Sequence, residues 1–191
     1  MERLYHLLEI DRDWSYALRV AEKPGLLRNL ARFFAHSGDS WFWGAGMFIM
    51  WLISAPVWKQ WAVYQVFWIG ILAIVVQTLK FTIRRKRPAG EWGAIYRATD
   101  PHSFPSGHAA RAFLIAILAS LLGPPWLAVI LWIWAPLVSL ARVAMGVHYV
   151  SDVIAGAIVG ALLVCLGWQF SDFIFSTINH SLVSIIGLTL W

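Results

Sequence analysis

From Trp61 to Leu79 the chain runs 19 residues without a charged side chain. As a helix, at about 1.5 Å per residue, such a stretch covers about 28 Å, close to the hydrocarbon thickness of a bilayer. Inside lipid the backbone must satisfy its own polar groups, so a lone crossing segment has to be a helix. Hydrophobic residues make up 60% of the 191 residues and charged residues 13%. Soluble domains run nearer about 45–50% and about 25%. The chain is therefore expected to live in lipid.

Further spans are expected over Trp41–Val57, about Gly107–Leu122, Trp126 to about Met145, and about Tyr149–Phe170. Gly123-Pro124-Pro125 closes one of them, and Gly146 is read as a break. The tail 171–191 is apolar but holds Asn179 and His180; a sixth span is expected there, with an interfacial helix as the alternative. Residues 1–40 read as an interfacial helical segment, with Leu4, Leu7, Leu8, Trp14 and Leu18 at helical spacing among charges. That charge leaves no apolar run like a signal-peptide core near the start, so no cleavable signal is expected. Trp41, Trp43, Trp58, Trp61, Trp126 and Trp168 fall at span ends, where indole rings favour the interface. The fold expected is all-α: an integral membrane bundle of five to six transmembrane helices in one domain, 1–191, with residues 41–170 as its core. Cys165 stands alone, which rules out an internal disulfide. The net charge of +5 fits anionic headgroups better than nucleic acid in so apolar a chain.

Alternating spans sort the loops onto two sides. Residues 1–40, the loop 80–106 and the turn 142–149 share one side. Three clusters of polar residues meet there by counting alone. Pro105-Ser106-Gly107-His108 opens a helix, whose free N–H groups and dipole favour an anion. Gly107 lets an anion approach the backbone. A plain serine cap would look the same. Lys80, Arg87 and Arg142 add three cations, and guanidinium groups grip phosphoryl oxygens in bidentate fashion. Arg84, Arg85 and Lys86 are assigned to lipid headgroups. With a break at Gly146, Arg142 ends one helix and His148 begins the next. His148 and Asp152, four apart, share a face. The carboxylate can hold one ring nitrogen as N–H and leave the other free to attack. A staple between helices is the structural alternative, but ionisable groups in a membrane are costly and usually functional. The few carboxylates show no paired spacing, so no metal and no cofactor is expected.

Lys80-x6-Arg87-Pro88, Pro105-Ser106-Gly107-His108 and Arg142-x5-His148-x3-Asp152 together resemble the three-part signature of the type-2 phosphatidic acid phosphatase superfamily. The resemblance covers about residues 61–170. One position departs: Ala141 stands where the family commonly has serine. The resemblance implies that His148 is the nucleophile and forms a phosphohistidine, with Asp152 orienting it. It implies His108 as acid and then base, and Lys80, Arg87, Ser106, Gly107 and Arg142 as the phosphate holders. It implies a metal-independent phosphatase of lipid phosphates or diphosphates, of the phosphatidic acid, phosphatidylglycerol phosphate, undecaprenyl diphosphate or lipid A phosphate class.

A lipid phosphotransferase shares the first half-reaction and stays open. So does a headgroup-binding or transport protein, although an oriented base is superfluous for binding. Nothing in the sequence points to a protein partner; the partners expected are the lipid substrate and the bilayer. The bacterial inner membrane is the expected location. The basic residues put the motif side in the cytoplasm by the positive-inside rule, whereas the resemblance implies an outward-facing site. Chemistry accounts for three of those cations, so the outward face is the expectation.

Overall fold

The computed structural model describes residues 2–90, 92 and 100–186; the remaining positions of the loop 80–106 and residues 187–191 of the expected C-terminal span lie outside this set. The described residues are helical or lie in turns and short connections. In chain order the helices are α1 (Glu2–Ala17), α2 (Leu26–Ser37), α3 (Ser40–Ile53), α4 (Pro56–Ile83), α5 (Gly107–Leu122), α6 (Pro125–Ala144) and α7 (Val150–Gly167). A single 3₁₀ turn, Trp168–Phe170, leads into α8 (Ser171–Ile186).

Among the described residues, three helical runs are long and apolar enough to cross a bilayer: Pro56–Ile83, Pro125–Ala144 and Val150–His180. Ser40–Ile53 and Gly107–Leu122 are apolar but shorter. The protein is an integral membrane protein. Phe48, Ile49, Leu52 and Ile53 on α3 and Ile154, Ile158 and Leu162 on α7 are exposed, as lipid-facing side chains must be.

α5 is the central helix. Ala109, Ala110, Ala112, Ala116 and Ala119 are fully buried between α6 and α7. Small residues allow this close approach, which in lipid is driven by packing rather than by water exclusion. Gly156 and Gly160, one turn apart on α7, mark a close approach to α5. A Cβ on Gly156 would lie 2.4 Å from the Ser106 carbonyl oxygen, and one on Gly160 would lie 2.2 Å from that of Ala110. The α5–α7 seam thus presses the start of one motif helix against the other.

Three boundaries differ from the sequence reading. α4 continues to Ile83, so Lys80 sits inside its last turn rather than at its end. Pro105 precedes the helix it was expected to open. Ser106 takes the N-cap instead, its hydroxyl facing the Ala109 N–H at 3.5 Å, and α5 begins at Gly107. His148 precedes α7, whose N-cap is Tyr149. Gly146 is the expected break: its φ of +66° lies in the left-handed region, and α6 ends at Ala144.

α1 and α2 cover the motif end of the bundle. Val20 N–H bonds the Ala144 carbonyl at 2.9 Å, at the C-terminus of α6. Ala31 and Ala35 of α2 are buried in a small cluster with Ala141, Met145 and Val147, while Leu26, Leu27, Leu30 and Phe33 stay exposed. At the other end Phe175 stacks on Tyr64 with centroids 3.9 Å apart, which ties α8 to α4.

Candidate active site

The turn after α6 aims His148 inward. The Arg142 carbonyl accepts from Val147 N–H at 3.2 Å and from His148 N–H at 3.3 Å, so the chain folds back over the end of α6. His148 and Asp152 are then 1% and 0% exposed. His148 Nδ1 lies 3.4 Å from Asp152 Oδ2, a contact short of a hydrogen bond, and that oxygen accepts from Tyr149 N–H at 2.9 Å. On the opposite edge of the ring, Nε2 is 3.2 Å from Nη1 of Arg87. The tautomer that fits carries its proton on Nδ1, beside the carboxylate, and turns the Nε2 lone pair toward Arg87. Burial holds His148 well below its ordinary pKa of 6.5, and Arg142, Arg87 and Lys80 push it the same way. The ring is neutral near pH 7, as a nucleophile has to be.

A cavity of about 190 Å³ adjoins His148. Lys80, Arg87, Gly107, His108, Arg142 and His148 all line it. The bundle therefore brings the expected residues together from α4, the following loop, α5, α6 and the turn before α7. Ser106 is fully buried at the α5 cap behind the wall, its N–H bonded to the Asp152 carbonyl at 2.9 Å. Ile69, Leu72, Ala73 and Val76 of α4 give the lining an apolar part, beside Gln77 and Lys80 of the same helix.

Four residues that the sequence reading did not assign to the site belong to this end of the molecule. Asp100 lines the cavity, paired with Lys80 Nζ and, at 2.8 Å, with Arg87 Nη2. It occupies the position where cations converge, as an acceptor there must. Arg85 is a correction. Its Nη1 donates to Asp152 Oδ1 at 2.7 Å and to Ser151 Oγ at 2.6 Å, and its Nη2 donates to Asp11 Oδ2 at 2.6 Å. It is thus engaged inside the protein rather than with headgroups.

Asp39, just before α3, places Oδ1 2.8 Å from His108 Nε2. Partial burial pushes the Asp39 carboxyl up, but His108 and His36 outweigh it and pull it down to about 2. Arg111, one turn beyond His108 on α5, donates from Nε to the Gly38 carbonyl at 3.0 Å and from Nη1 to Ser40 Oγ at 2.7 Å. Two of these residues carried a signal: Arg111 is a charge inside an apolar span, and Asp39 is a carboxylate at the mouth of one. Among the described residues, no three His, Cys, Asp or Glu side chains are grouped to hold a metal ion.

The family described as the PAP2 superfamily matches residues 61–175. The chain belongs to the PAP2 superfamily. All three motifs fall inside the matched PAP2 stretch. A protein named probable lipid phosphate phosphatase beta, from Arabidopsis thaliana, is 31% identical over 87% of this chain and 91% of its own length. A lipid A 1-phosphatase of Porphyromonas gingivalis is 33% identical over 62% of this chain, which spans only 25% of that protein. The bundle is similar to the crystal structure of a transmembrane PAP2 type phosphatidylglycerolphosphate phosphatase from Bacillus subtilis. The TM-score is 0.65 and the identity 28%, over 88% of each chain.

Proposed function

We propose that this PAP2 protein removes the terminal phosphate from a membrane lipid phosphate or diphosphate, through a phosphohistidine on His148 and without a metal. One observation carries the reading: a buried histidine beside Asp152, its Nε2 against Arg87 Nη1, lines a cavity that Lys80, Arg87 and Arg142 line as well. Binding alone needs the cations and not the oriented base.

In this reading the three cations and the start of α5 at Gly107 hold the phosphoryl oxygens, while Ser106, expected among the holders, is buried behind the wall and supports that turn. The cations and the helix start stabilise the charge that spreads over those oxygens during transfer. His148 Nε2 attacks phosphorus while the P–O bond to the lipid breaks. His108 protonates the departing oxygen, then takes the proton of the water that hydrolyses the phosphohistidine. The carboxylate of Asp152 holds the Nδ1–H and offsets the positive charge that the attacking ring acquires.

The apolar lining from α4 supports a lipid substrate, since it offers hydrocarbon contact beside the cations. The names of the relatives, lipid A 1-phosphatase, probable lipid phosphate phosphatase and phosphatidylglycerolphosphate phosphatase, favour a lipid phosphate as substrate. We place the protein in a bacterial inner membrane as a single domain, with the cavity on the extracytoplasmic face. α2 then lies in the interface on Leu26, Leu27, Leu30 and Phe33.

The experiment is phosphate release by the purified protein in detergent from a panel of these lipids. Release from at least one lipid, lost in His148→Ala, supports hydrolysis. Label passing to a second lipid with no free phosphate would instead assign a phosphotransferase. Binding without turnover on every lipid would overturn the enzymatic reading.

A further inference from the structure

Asp39 lies outside the three motifs and outside residues 61–175, the stretch matched to the family. From the junction of α2 and α3 it reaches His108, which lines the cavity. Its Oδ1, 2.8 Å from His108 Nε2, occupies one of the two ring nitrogens. Only Nδ1 of His108 is left for a group bound in the cavity. We infer that Asp39 is the positioning residue of His108, fixing its tautomer and ring direction so that Nδ1 delivers the proton to the leaving oxygen. This rests on the reading of His108 as acid and base given above.

The surroundings are built to hold this pair. Arg111 belongs to the same helix as His108, and its donors grip the backbone and side chain on either side of Asp39, at Gly38 and Ser40. The carboxylate-bearing junction is thereby tied to the helix that carries the histidine. Gly38 presses on the ring itself: a Cβ there would lie 3.2 Å from His108 Cδ2 and 3.0 Å from Val138 Cγ1. His36 Nδ1 holds the other oxygen, Oδ2, at 3.2 Å. A guanidinium inside an apolar helix is expensive in a membrane, and a membrane charge is generally retained for a function.

The chemistry explains the need for the carboxylate. Lys80, Arg87 and Arg142 line the same cavity and disfavour a further positive charge. A histidine that is to give up a proton must first be cationic. The Asp39 carboxylate offsets that charge while accepting the Nε2–H. In the first half-reaction the P–O bond breaks, its electron pair stays on the bridging oxygen, and that oxygen takes the proton from Nδ1. His108 is left neutral with Nε2–H still on Asp39. In the second, the water oxygen bonds phosphorus, the P–N bond breaks and the water proton returns to Nδ1. Asp39 stays a carboxylate throughout. The carboxylate–histidine pair His148–Asp152 would then have a counterpart across the cavity.

The test compares Asp39→Asn, His108→Ala and wild type on phenyl phosphate, whose leaving group needs a proton, and dinitrophenyl phosphate, whose leaving group does not. Asp39→Asn should lose about 10- to 100-fold in kcat on phenyl phosphate and less than about threefold on dinitrophenyl phosphate, within the range of lost acid catalysis. KM and inhibition by orthovanadate should hardly move. Asp39→Glu, which keeps the charge, should recover part of the phenyl phosphate rate. Equal losses on both substrates in Asp39→Asn, with His108→Ala still selective, would overturn the inference and leave the reading of His108 standing. Equal losses in His108→Ala would overturn that reading, and the inference with it. If Asp39→Asn does not fold, Asp39→Ser, which can accept from Nε2 without charge, goes through the same series with the same two outcomes.

Discussion

Arg85 donates to Asp152 Oδ1 at 2.7 Å and, through its other terminal nitrogen, to Asp11 Oδ2 at 2.6 Å. The N-terminal helix is thereby joined to the carboxylate behind His148. Asp11 also caps α7: Oδ1 accepts from Ser151 N–H at 2.9 Å, and Ser15 Oγ accepts from Val150 N–H at 2.9 Å. Removing Arg85 leaves a buried carboxylate without its cation, which costs about 3–5 kcal/mol. Arg85→Ala should lower the unfolding temperature in detergent and reduce kcat by about 10- to 100-fold. KM should change little, because Arg85 does not line the cavity. Asp11→Ala should show the same direction with a smaller stability loss, about 0.5–2 kcal/mol for a cap. A rise in KM with unchanged kcat would instead assign Arg85 to substrate binding.

The α5–α7 seam sets the distance between the motif helices. Gly160→Val places a branched side chain where a Cβ already meets the Ala110 carbonyl at 2.2 Å. The helices must part, and a misplacement of about 1 Å can cost about 10²-fold in rate. The variant should lose most activity and unfold at a lower temperature. Unchanged activity would show that the seam does not position the site.

The two histidines divide the work in the proposed mechanism. His108→Ala should retain activity on dinitrophenyl phosphate, since acid catalysis contributes about 10²–10⁴-fold and is dispensable for that leaving group. His148→Ala should be inactive on aryl and lipid substrates alike, because the covalent route is closed. Rescue of His148→Ala and not of His108→Ala would reverse the two assignments.

Activity should survive EDTA. The carboxylates near the cavity are already engaged, Asp100 with Lys80 and Arg87, Asp152 with Arg85. Loss of turnover on chelation, restored by Mg²⁺, would contradict the metal-free mechanism.

Stability should carry the mark of His148. Its folded pKa lies well below 6.5, chiefly through burial. As pH falls below the unfolded value, the unfolded chain takes the proton first, so stability is full above that pH and declines below it. His148→Gln removes this uptake. Unfolding temperature in detergent, followed from about pH 7 to about pH 5, should fall less steeply in the variant than in wild type. Equal slopes would place the ring in a solvated site.

Much of this end of the molecule was legible in the sequence. Counting uncharged runs put three polar clusters on one side, and the spacing of Lys80, Arg87, His108, Arg142 and His148 led to one cavity. Gly146 announced the turn that frees His148 from α6. The partners were less legible. Arg85 stands among basic residues that look interchangeable, and only three-dimensional packing selects it for Asp152. Asp11 and Ser15 sit four apart in a segment rich in charge, where nothing local distinguishes a cap for a distant helix from a solvated face. Asp39 and Arg111 were within reach, because charge at or inside an apolar span calls for a partner.

A covalent intermediate on His148 can be trapped. The purified protein is mixed with substrate radiolabelled in the terminal phosphate, quenched in alkali within the first turnovers, and mapped by peptide. The expected label is stable to alkali and labile to acid, on the peptide holding His148, absent in His148→Ala and accumulating on dinitrophenyl phosphate in His108→Ala. Full turnover of wild type with no label on that peptide, or label on another residue, would contradict it.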